Sequence, residues 1–343
     1  MKLRALFLGM TVILSSWAMA QVSDTDIALA TQGNYRGGFT EGAWSEHWLT
    51  VHLIAQNNRE HLANFYFGPH EDGIPYFSIT GRTEDGVTRF EGEVSIEGAS
   101  WFGTQQFKGE IVTAGDPPVA GKFTGTLTGP GGTKTFEVER IELGSPTLGE
   151  EPPAGAVVLF DGTSMEHWER YPLTWGITGD AFQVGGSDLI TKQQFGSKRL
   201  HLEFRTPFMP SARGQQRGNS GVYIQGVYEI QVLDTFGLER ADNFAGGFYQ
   251  QAPPLVNACL PPMEWQTYDI DFTAPKFNEA GEKVENARVT VHHNGILIHD
   301  DLELSDRTPG GMGGPERALG HLLLQDHGNS VQFRNIWVVS LDD

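Results

Sequence analysis

The run Asn219-Ser220-Gly221-Val222-Tyr223-Ile224-Gln225-Gly226-Val227-Tyr228-Glu229-Ile230-Gln231-Val232-Leu233-Asp234 constrains this chain more than any other stretch. Side chains on a β-strand alternate between faces. One face therefore takes Val222 and Ile224, then Tyr228, Ile230 and Val232, and is greasy. The other takes Asn219, Gly221, Tyr223 and Gln225, then Glu229 and Gln231, until Leu233 interrupts the polar row. Such a sheet buries one face in a core and offers the other to a polar ligand. Gly221 leaves room above the sheet for a ring, and Tyr223 can stack on it or donate its hydroxyl.

The remaining segments extend the strand reading. Ala156 to Phe160, Arg199 to Arg205, Trp265 to Phe272, Ala318 to Gln325 and Val331 to Leu341 read as strands, and Arg288 to His299 as a hairpin turning at Asn294-Gly295. No long amphipathic helical period interrupts them, which disfavours α/β architectures. Many strands with closely spaced turns predict two packed antiparallel sheets. Before them, Phe90-Glu91-Gly92, Phe107-Lys108-Gly109 and Phe123-Thr124-Gly125 recur 17 and then 16 residues apart. With turns expected at Glu84-Asp85-Gly86, Gly115-Asp116-Pro117 and Gly129-Pro130-Gly131-Gly132, this part reads as an antiparallel meander or small barrel. The breaker-rich stretch from Gly144 to Gly155 separates the two parts.

The expected organisation is a secretory leader over 1–20, a small antiparallel β domain over 21–144, a linker over 145–155 and a β-sandwich over 156–343. The leader has a basic start, an apolar run from Ala5 to Trp17 and Ala18-Met19-Ala20 before Gln21. Its apolar run is shorter than the roughly 20 residues that span a bilayer, so export to the periplasm or the outside is expected rather than stable membrane insertion. The single Cys259 excludes an internal disulfide and reads as a small buried hydrophobe. A formal charge of −19, from 24 basic and 43 acidic side chains, makes nucleic acid a poor partner and leaves a neutral sugar unpenalised.

Several groups could carry chemistry. His201, Glu203 and Arg205 share one strand face; Gln325-Asp326-His327-Gly328 ends an apolar strand; Arg334 sits between Phe333 and Ile336 and needs a carboxylate partner, with Glu229, Glu203 and Asp234 as candidates. Lys192 reads as a surface lysine. Thr308 to Pro315 and Phe244 to Pro254 read as rim loops, and Gly310-Gly311-Met312-Gly313-Gly314 as a flexible turn rather than a phosphate cradle. His47, His52, His61 and His70 lack compact metal-ligand spacing, so solvated or satisfied histidines are expected. Trp44, Trp48, Tyr66, Tyr76 and Trp101 could form a sugar-stacking surface, although packing is the plainer account. The chain contains no Gly-x-Ser-x-Gly elbow, zinc helix, phosphate loop or dinucleotide fingerprint.

Over Val157 to Leu341 the chain resembles the 3-keto-disaccharide (3-keto-glycoside) hydrolase family. The resemblance rests on Val158-Leu159-Phe160-Asp161-Gly162-Thr163 with His167-Trp168, Leu202-Glu203-Phe204-Arg205, Asn219 to Tyr223 and Tyr228 to Asp234. It continues through Ala252-Pro253, Glu264-Trp265-Gln266, Asn294-Gly295, Leu324 to Gly328 and Phe333-Arg334-Asn335-Ile336. It departs at Gln225, where members commonly carry Arg, which would remove a charge from the ligand face, and at Gln266, where they often carry Asn. The resemblance implies an all-β fold of the concanavalin A-like lectin and glucanase type, a jelly roll, and cleavage of glycosides already oxidised at C3. A C3 ketone acidifies the C2 proton, so a base can remove it, expel the group at C1 and let water add to the enone. Glu229 is the expected base and His327 an alternate acid or base. Arg205, Arg334, Asn219 and Gln231 are expected to orient substrate or stabilise the enolate. Glu203, Tyr223, Asp234 and Gln325 complete the expected contacts. This route requires no cofactor; a structural calcium at Asp300-Asp301 is conceivable but not indicated, since no calcium loop is present. Two other readings stay open: a non-catalytic sugar-binding protein, and a conventional glycosidase pairing Glu229 with Glu203 or Asp234.

Overall fold

The computed structural model describes residues 22–41, 48–67, 75–96, 102–170 and 176–342. The expected leader, His47, His70, Trp44 and Trp101 lie outside the described residues.

Eight antiparallel strands between Gly33–Phe39 and Gly132–Ile141 each pair with the next, and the last returns to the first, closing a barrel. The phenylalanine–glycine repeat has a steric cause. A Cβ on Gly109 would stand 2.8 Å from the Phe123 ring, and one on Gly125 2.7 Å from the Phe136 ring. Gly109 and Gly125 thus clear space for an aromatic from the next strand. Tyr35, Phe65, Phe90, Phe107, Phe123 and Phe136 fill the interior that results. A short helix, Asp24–Thr31, precedes the barrel; Ser23 and Asp26 form its reciprocal N-terminal cap. His61 is buried in this part, and burial holds its imidazole down at about 4. His52 is buried against Tyr66 and Phe236, while Trp48 and Tyr76 are exposed.

The second part is a sandwich of two antiparallel sheets, as the alternation predicts. One sheet orders its strands Trp168–Arg170, Leu189–Phe195, Gly320–Leu324, Ser220–Ile224 and Tyr228–Val232. The larger sheet runs through Gly176–Thr178, Ala181–Gln183, Gln332–Ser340, Lys198–Arg205, Gln266–Thr273, Ala287–His293 and Ile296–Leu304, with Val157–Phe160 also paired to Gln332–Ser340. Their facing rows make one core: Val222, Ile224, Tyr228, Ile230, Val232 and Leu324 from the first, Leu200, Leu202, Phe204, Phe333 and Ile336 from the second. Asn294 and Gly295 adopt φ of 53° and 76°, the positive pair that a two-residue hairpin turn requires.

The barrel packs against the sandwich through Ile54, which joins Leu233, Phe236 and Cys259 in a separate apolar cluster. This explains why Leu233 interrupts the polar row. Cys259 is buried there, its thiol pushed up to about 12 by burial first and by Asp234 second. The segment joining the two parts is fastened along the outer face of the larger sheet. Ser145 and Thr147 hydroxyls bond Thr267 at 2.6 and 3.0 Å, Thr147 also donates to Asp269 at 2.6 Å, and the Gly149 N–H donates to Glu203 at 2.6 Å.

Candidate active site

Because Tyr228, Ile230 and Val232 take the core, Glu229 and Gln231 stand on the outer face of the smaller sheet. In-register pairing sets Tyr223 opposite Glu229 and Gly221 opposite Gln231. The Glu229 carboxylate leans over Gly221, where a Cβ would stand 2.3 Å from Oε1. The space expected to hold a ligand ring is therefore occupied by the carboxylate itself. The Tyr223 hydroxyl donates to Glu229 Oε2 at 2.7 Å and accepts from Gln325 Nε2 at 3.3 Å. Gln325 reaches it because Gly320–Leu324 lies beside Ser220–Ile224, and its own N–H donates to Gly221 O at 2.9 Å. Gly310 and Gly311 lie on the Tyr223 ring, so close that a Cβ on either would meet the tyrosine within 2.7 Å. Tyr223 accordingly holds the carboxylate instead of stacking on a sugar. The glycine-rich stretch, with positive φ at Gly310, Gly311, Gly313 and Gly314, lies against the site as an ordered rim.

Glu229 is 3% exposed. Burial lifts its pKa to about 7; the Tyr223 hydroxyl opposes the rise and the charge of Asp188 adds to it. A carboxylate in that range can both take and return a proton near neutrality. Asp188, half-buried and accepting the Asp326 N–H at 2.9 Å, is itself raised by burial. At the other end of the row stand Asn219 and Gln231, each 1% exposed. Their amide nitrogens converge on Gln215 Oε1 at 3.1 and 2.8 Å.

The structure does not bring the arginines here. Glu203, Arg205 and Arg334 sit on Lys198–Arg205 and Gln332–Ser340, strands of the larger sheet, and face away from the shared core. Sheets in a sandwich pack about 10 Å apart, so the core thickness separates these residues from Glu229. Arg334 does find a carboxylate: its Nε donates to Glu203 Oε2 and its Nη1 to Asp180 Oδ2, both at 2.6 Å. Asn335 and the Gly149 N–H bind the other Glu203 oxygen. Burial pushes Glu203 up, but hydrogen bonds from His201, Asn335, Gly149 and Arg334 outweigh it and hold the group at about 2. Arg205 bonds Gln332 and, with Arg334, lies over the Trp265 ring at 4.7 and 4.1 Å. A cavity of about 340 Å³ lies beside this cluster, lined in part by Glu150, Asp180, Glu203, Arg334 and Asn335. The cluster fastens the joining segment, and its residues are not contacts of the Glu229 site.

Asp234 is also corrected. It is fully enclosed, bound to the Arg217 guanidinium at 2.7 Å, and Arg217 in turn donates to Ala55 O of the barrel at 3.3 Å. The pair belongs to the seam between the two parts. Gln225 lies in a turn with φ of 56°, and its side chain turns toward Ala318 O and Lys198 Nζ. The ligand face therefore loses no charge through it. Gln266 is buried and accepts from Leu260 N and pairs with His293, again away from the site. His327 is exposed on the loop after Gln325, at the Asp188 edge of the row, and Lys192 is exposed.

Residues 155–339 match the family model described as the 3-keto-alpha-glucoside-1,2-lyase-like domain. The chain belongs to this family. A Parabacteroides distasonis structure described as a "putative glycosyl hydrolase" is similar at 35% identity with a TM-score of 0.50, covering 55% of this chain and 85% of that one. A second protein from that organism, described in the same words, matches at 21% identity and a TM-score of 0.40 over 54% of this chain and 99% of its own. No curated protein matches. The 3-keto-alpha-glucoside-1,2-lyase-like domain is thus an all-β sandwich of glycoside-acting type, and no helix among the described residues is long and apolar enough to cross a membrane.

Two residues of its ligand face escape a reading of the sequence. Asp188 precedes a strand by one residue, a placement with no periodic signal. Gln215 sits in the short turn Gly214–Gln216, outside any alternation. Among the described residues, Glu150, His201 and Asp269 bring three ligand atoms within 4.8 Å of one another. Burial pulls His201 down, but its bonds to Asp269 and Glu203 outweigh this and lift it to about 9, so the cluster is held together by an imidazole set between carboxylates.

Proposed function

We propose that this chain cleaves glycosides carrying a ketone at C3, by elimination followed by hydration. Glu229 takes the proton from C2, and the electron pair moves into the C3 carbonyl to form an enolate. Re-formation of the carbonyl breaks the C1–O bond, and the leaving oxygen takes a proton delivered at the open edge of the row, where His327 and Asp188 lie. Water then adds at C1 of the enone and Glu229 returns its proton to C2, so the net change is hydrolysis to a 3-keto sugar. The amide nitrogens of Asn219 and Gln231 are the donors for the enolate oxygen. The observation that carries this reading is one buried carboxylate at about 7, hydrogen-bonded by Tyr223, on the same sheet face as the converging amide donors Gln231, two residues on, and Asn219 beside the neighbouring strand. Residues 1–20 are read as the leader that exports it.

A conventional glycosidase needs a second carboxylate about 5–9 Å from the first. Glu203 lies across the core and Asp234 is bound to Arg217, so neither can take that role; Asp188, whose charge acts on Glu229, is the candidate for it. The deciding experiment gives the mature protein matched glucosides before and after C3 oxidation and follows product release. Turnover confined to the oxidised set, lost by about 100-fold or more in Glu229→Gln, is expected. Equal turnover of unoxidised glycosides that is lost in Asp188→Asn would favour the glycosidase, and binding of both sets without turnover a sugar-binding protein.

A further inference from the structure

Gln215 is half-buried on the turn between Arg213 and Arg217. Its Nε2 donates to the Asn243 carbonyl at 2.7 Å, an atom that can only accept, so Oε1 must point the other way. That oxygen receives Gln231 Nε2 at 2.8 Å and Asn219 Nδ2 at 3.1 Å, the latter amide also donating to the main-chain O of Gln215 at 2.7 Å. Two buried amide donors thus converge on one sp² carbonyl oxygen, on the same sheet face as the Glu229 carboxylate. The far ends of both amides, Asn219 Oδ1 and Gln231 Oε1, have no hydrogen-bond partner among the described residues. These two oxygens are acceptors left on the same sheet face, able to receive hydroxyl donors.

We infer that Gln215 is a built-in stand-in for substrate: its side-chain oxygen occupies the position of the sugar's C3 carbonyl oxygen, and a 3-keto sugar binds by displacing it. This rests on the reading of Asn219 and Gln231 as donors to that oxygen. The backbone around Gln215 is held from both sides. Arg213 donates to Gln56 O of the barrel at 2.6 Å, and Arg217 to Ala55 O at 3.3 Å and Asp234 at 2.7 Å. The side chain is therefore the part that swings, and the barrel fixes the hinge from which it does so. Leaving costs Gln215 the bond to Asn243; the incoming carbonyl takes over the two amide donors, and hydroxyls on the sugar can donate to the two unpartnered oxygens. A ligand lacking a carbonyl or hydroxyl at this place cannot replace what Gln215 gives up, so the same residue discriminates as well as closes.

The test compares wild type, Gln215→Ala and Gln215→Glu in the full mature chain. Methyl 3-keto-glucoside and methyl glucoside serve as probes for calorimetric binding, and NMR follows exchange of the side-chain amide protons of Asn219 and Gln231 without ligand. Removing a competitor that keeps the site closed most of the time should lower the dissociation constant for the keto sugar about three- to tenfold. Gln215→Glu, which offers the amides a charged acceptor, should raise it. Exchange of the Gln231 amide protons should be slowed in wild type and fast in Gln215→Ala, while Asn219, which keeps its bond to the main-chain O of residue 215, serves as the internal control. Unchanged or weaker binding in Gln215→Ala, or equal Gln231 exchange in the two proteins, overturns the inference. If wild type binds neither sugar, the proposed function falls, while the exchange comparison still decides whether Gln215 occupies the site.

Discussion

Burying Glu229 has a thermodynamic consequence that needs no substrate to measure. Its pKa stands at about 7 in the fold against an ordinary value of 4.5, with burial as the main cause. The native state therefore holds this proton more tightly than the unfolded chain does. Below the ordinary carboxylate range both states are protonated and nothing is lost. As pH rises from there through about 7 the native state must either keep the proton or bury a charge, and stability falls. The gap of 2.5 between 4.5 and about 7, at 1.36 kcal/mol per unit, sets the upper limit of the penalty above pH 7 at roughly 3–4 kcal/mol. Glu229→Gln has the same shape, can still accept from Tyr223 and cannot ionise, so it should escape that penalty. Urea unfolding of both proteins from pH 4 to pH 8.5 should give equal stabilities at the acid end and a variant more stable by about 1–3 kcal/mol at the alkaline end. Groups common to both proteins, including Glu203 and His201, cancel in the difference. A difference that stays flat with pH, or a variant less stable at pH 8, would refute the account of Glu229 as a carboxylate held against its solvation. The inactive variant being the more stable one is the pattern expected when a site is maintained at the expense of the fold.

Further expectations follow from single contacts. Tyr223→Phe keeps the ring beneath Gly310 and Gly311 but removes the hydroxyl that favours the charged carboxylate. A hydrogen bond to an ionised group contributes about 1.5–3 kcal/mol, so the acid limb of kcat/KM should move up by about one to two pH units; a limb that stays put or moves down would count against Glu229 as the base. Glu203→Gln should lower stability by about 2–3 kcal/mol, a discounted figure because Arg334 keeps Asp180 and some solvent, and should speed proteolysis between Gly144 and Gly155. Its kcat should be unchanged, and a fall in kcat at full stability would return Glu203 to the substrate. Gly125→Ala forces a methyl group to within 2.5 Å of the Lys108 carbonyl and 2.7 Å of the Phe136 ring, and should destabilise the barrel by about 1–3 kcal/mol, read by thermal unfolding.

Alternation along a strand is a local property, and what it governs was legible in the sequence. It assigned Glu229 and Gln231 to the face opposite the core, set Tyr223 beside them, and gave His201, Glu203 and Arg205 a common outward face. The Asn294-Gly295 turn followed from the positive φ that those two residues accept, and the barrel repeat from spacing alone. Which sheet a strand joins depends on distant pairing, and a period of two carries nothing about it. The outward faces of Tyr228–Val232 and Lys198–Arg205 look alike in sequence, yet they lie on opposite sides of the molecule. Turns break the period as well as the strand: Gln225, in phase with Tyr223 on paper, has its direction reversed by a φ of 56°.

Sorting the charges by sheet leaves the two outer faces with different chemistry, and the difference bears on function. On the outer face of the larger sheet Glu203 and His201 lie against opposite charges, so Glu203 is held at about 2 and His201 lifted to about 9, states that do not change near neutrality. Such a cluster can fasten a linker but has no proton to trade. On the outer face of the smaller sheet Glu229 meets a phenol and a second carboxylate and, among the described residues, no cation, and it stays at about 7. Had Arg334 or Arg205 reached it, as its sequence context allowed, its pKa would have been driven down with that of Glu203 and its basicity lost. The thickness of the core between the arginines and the carboxylate is therefore part of what keeps Glu229 able to accept a proton.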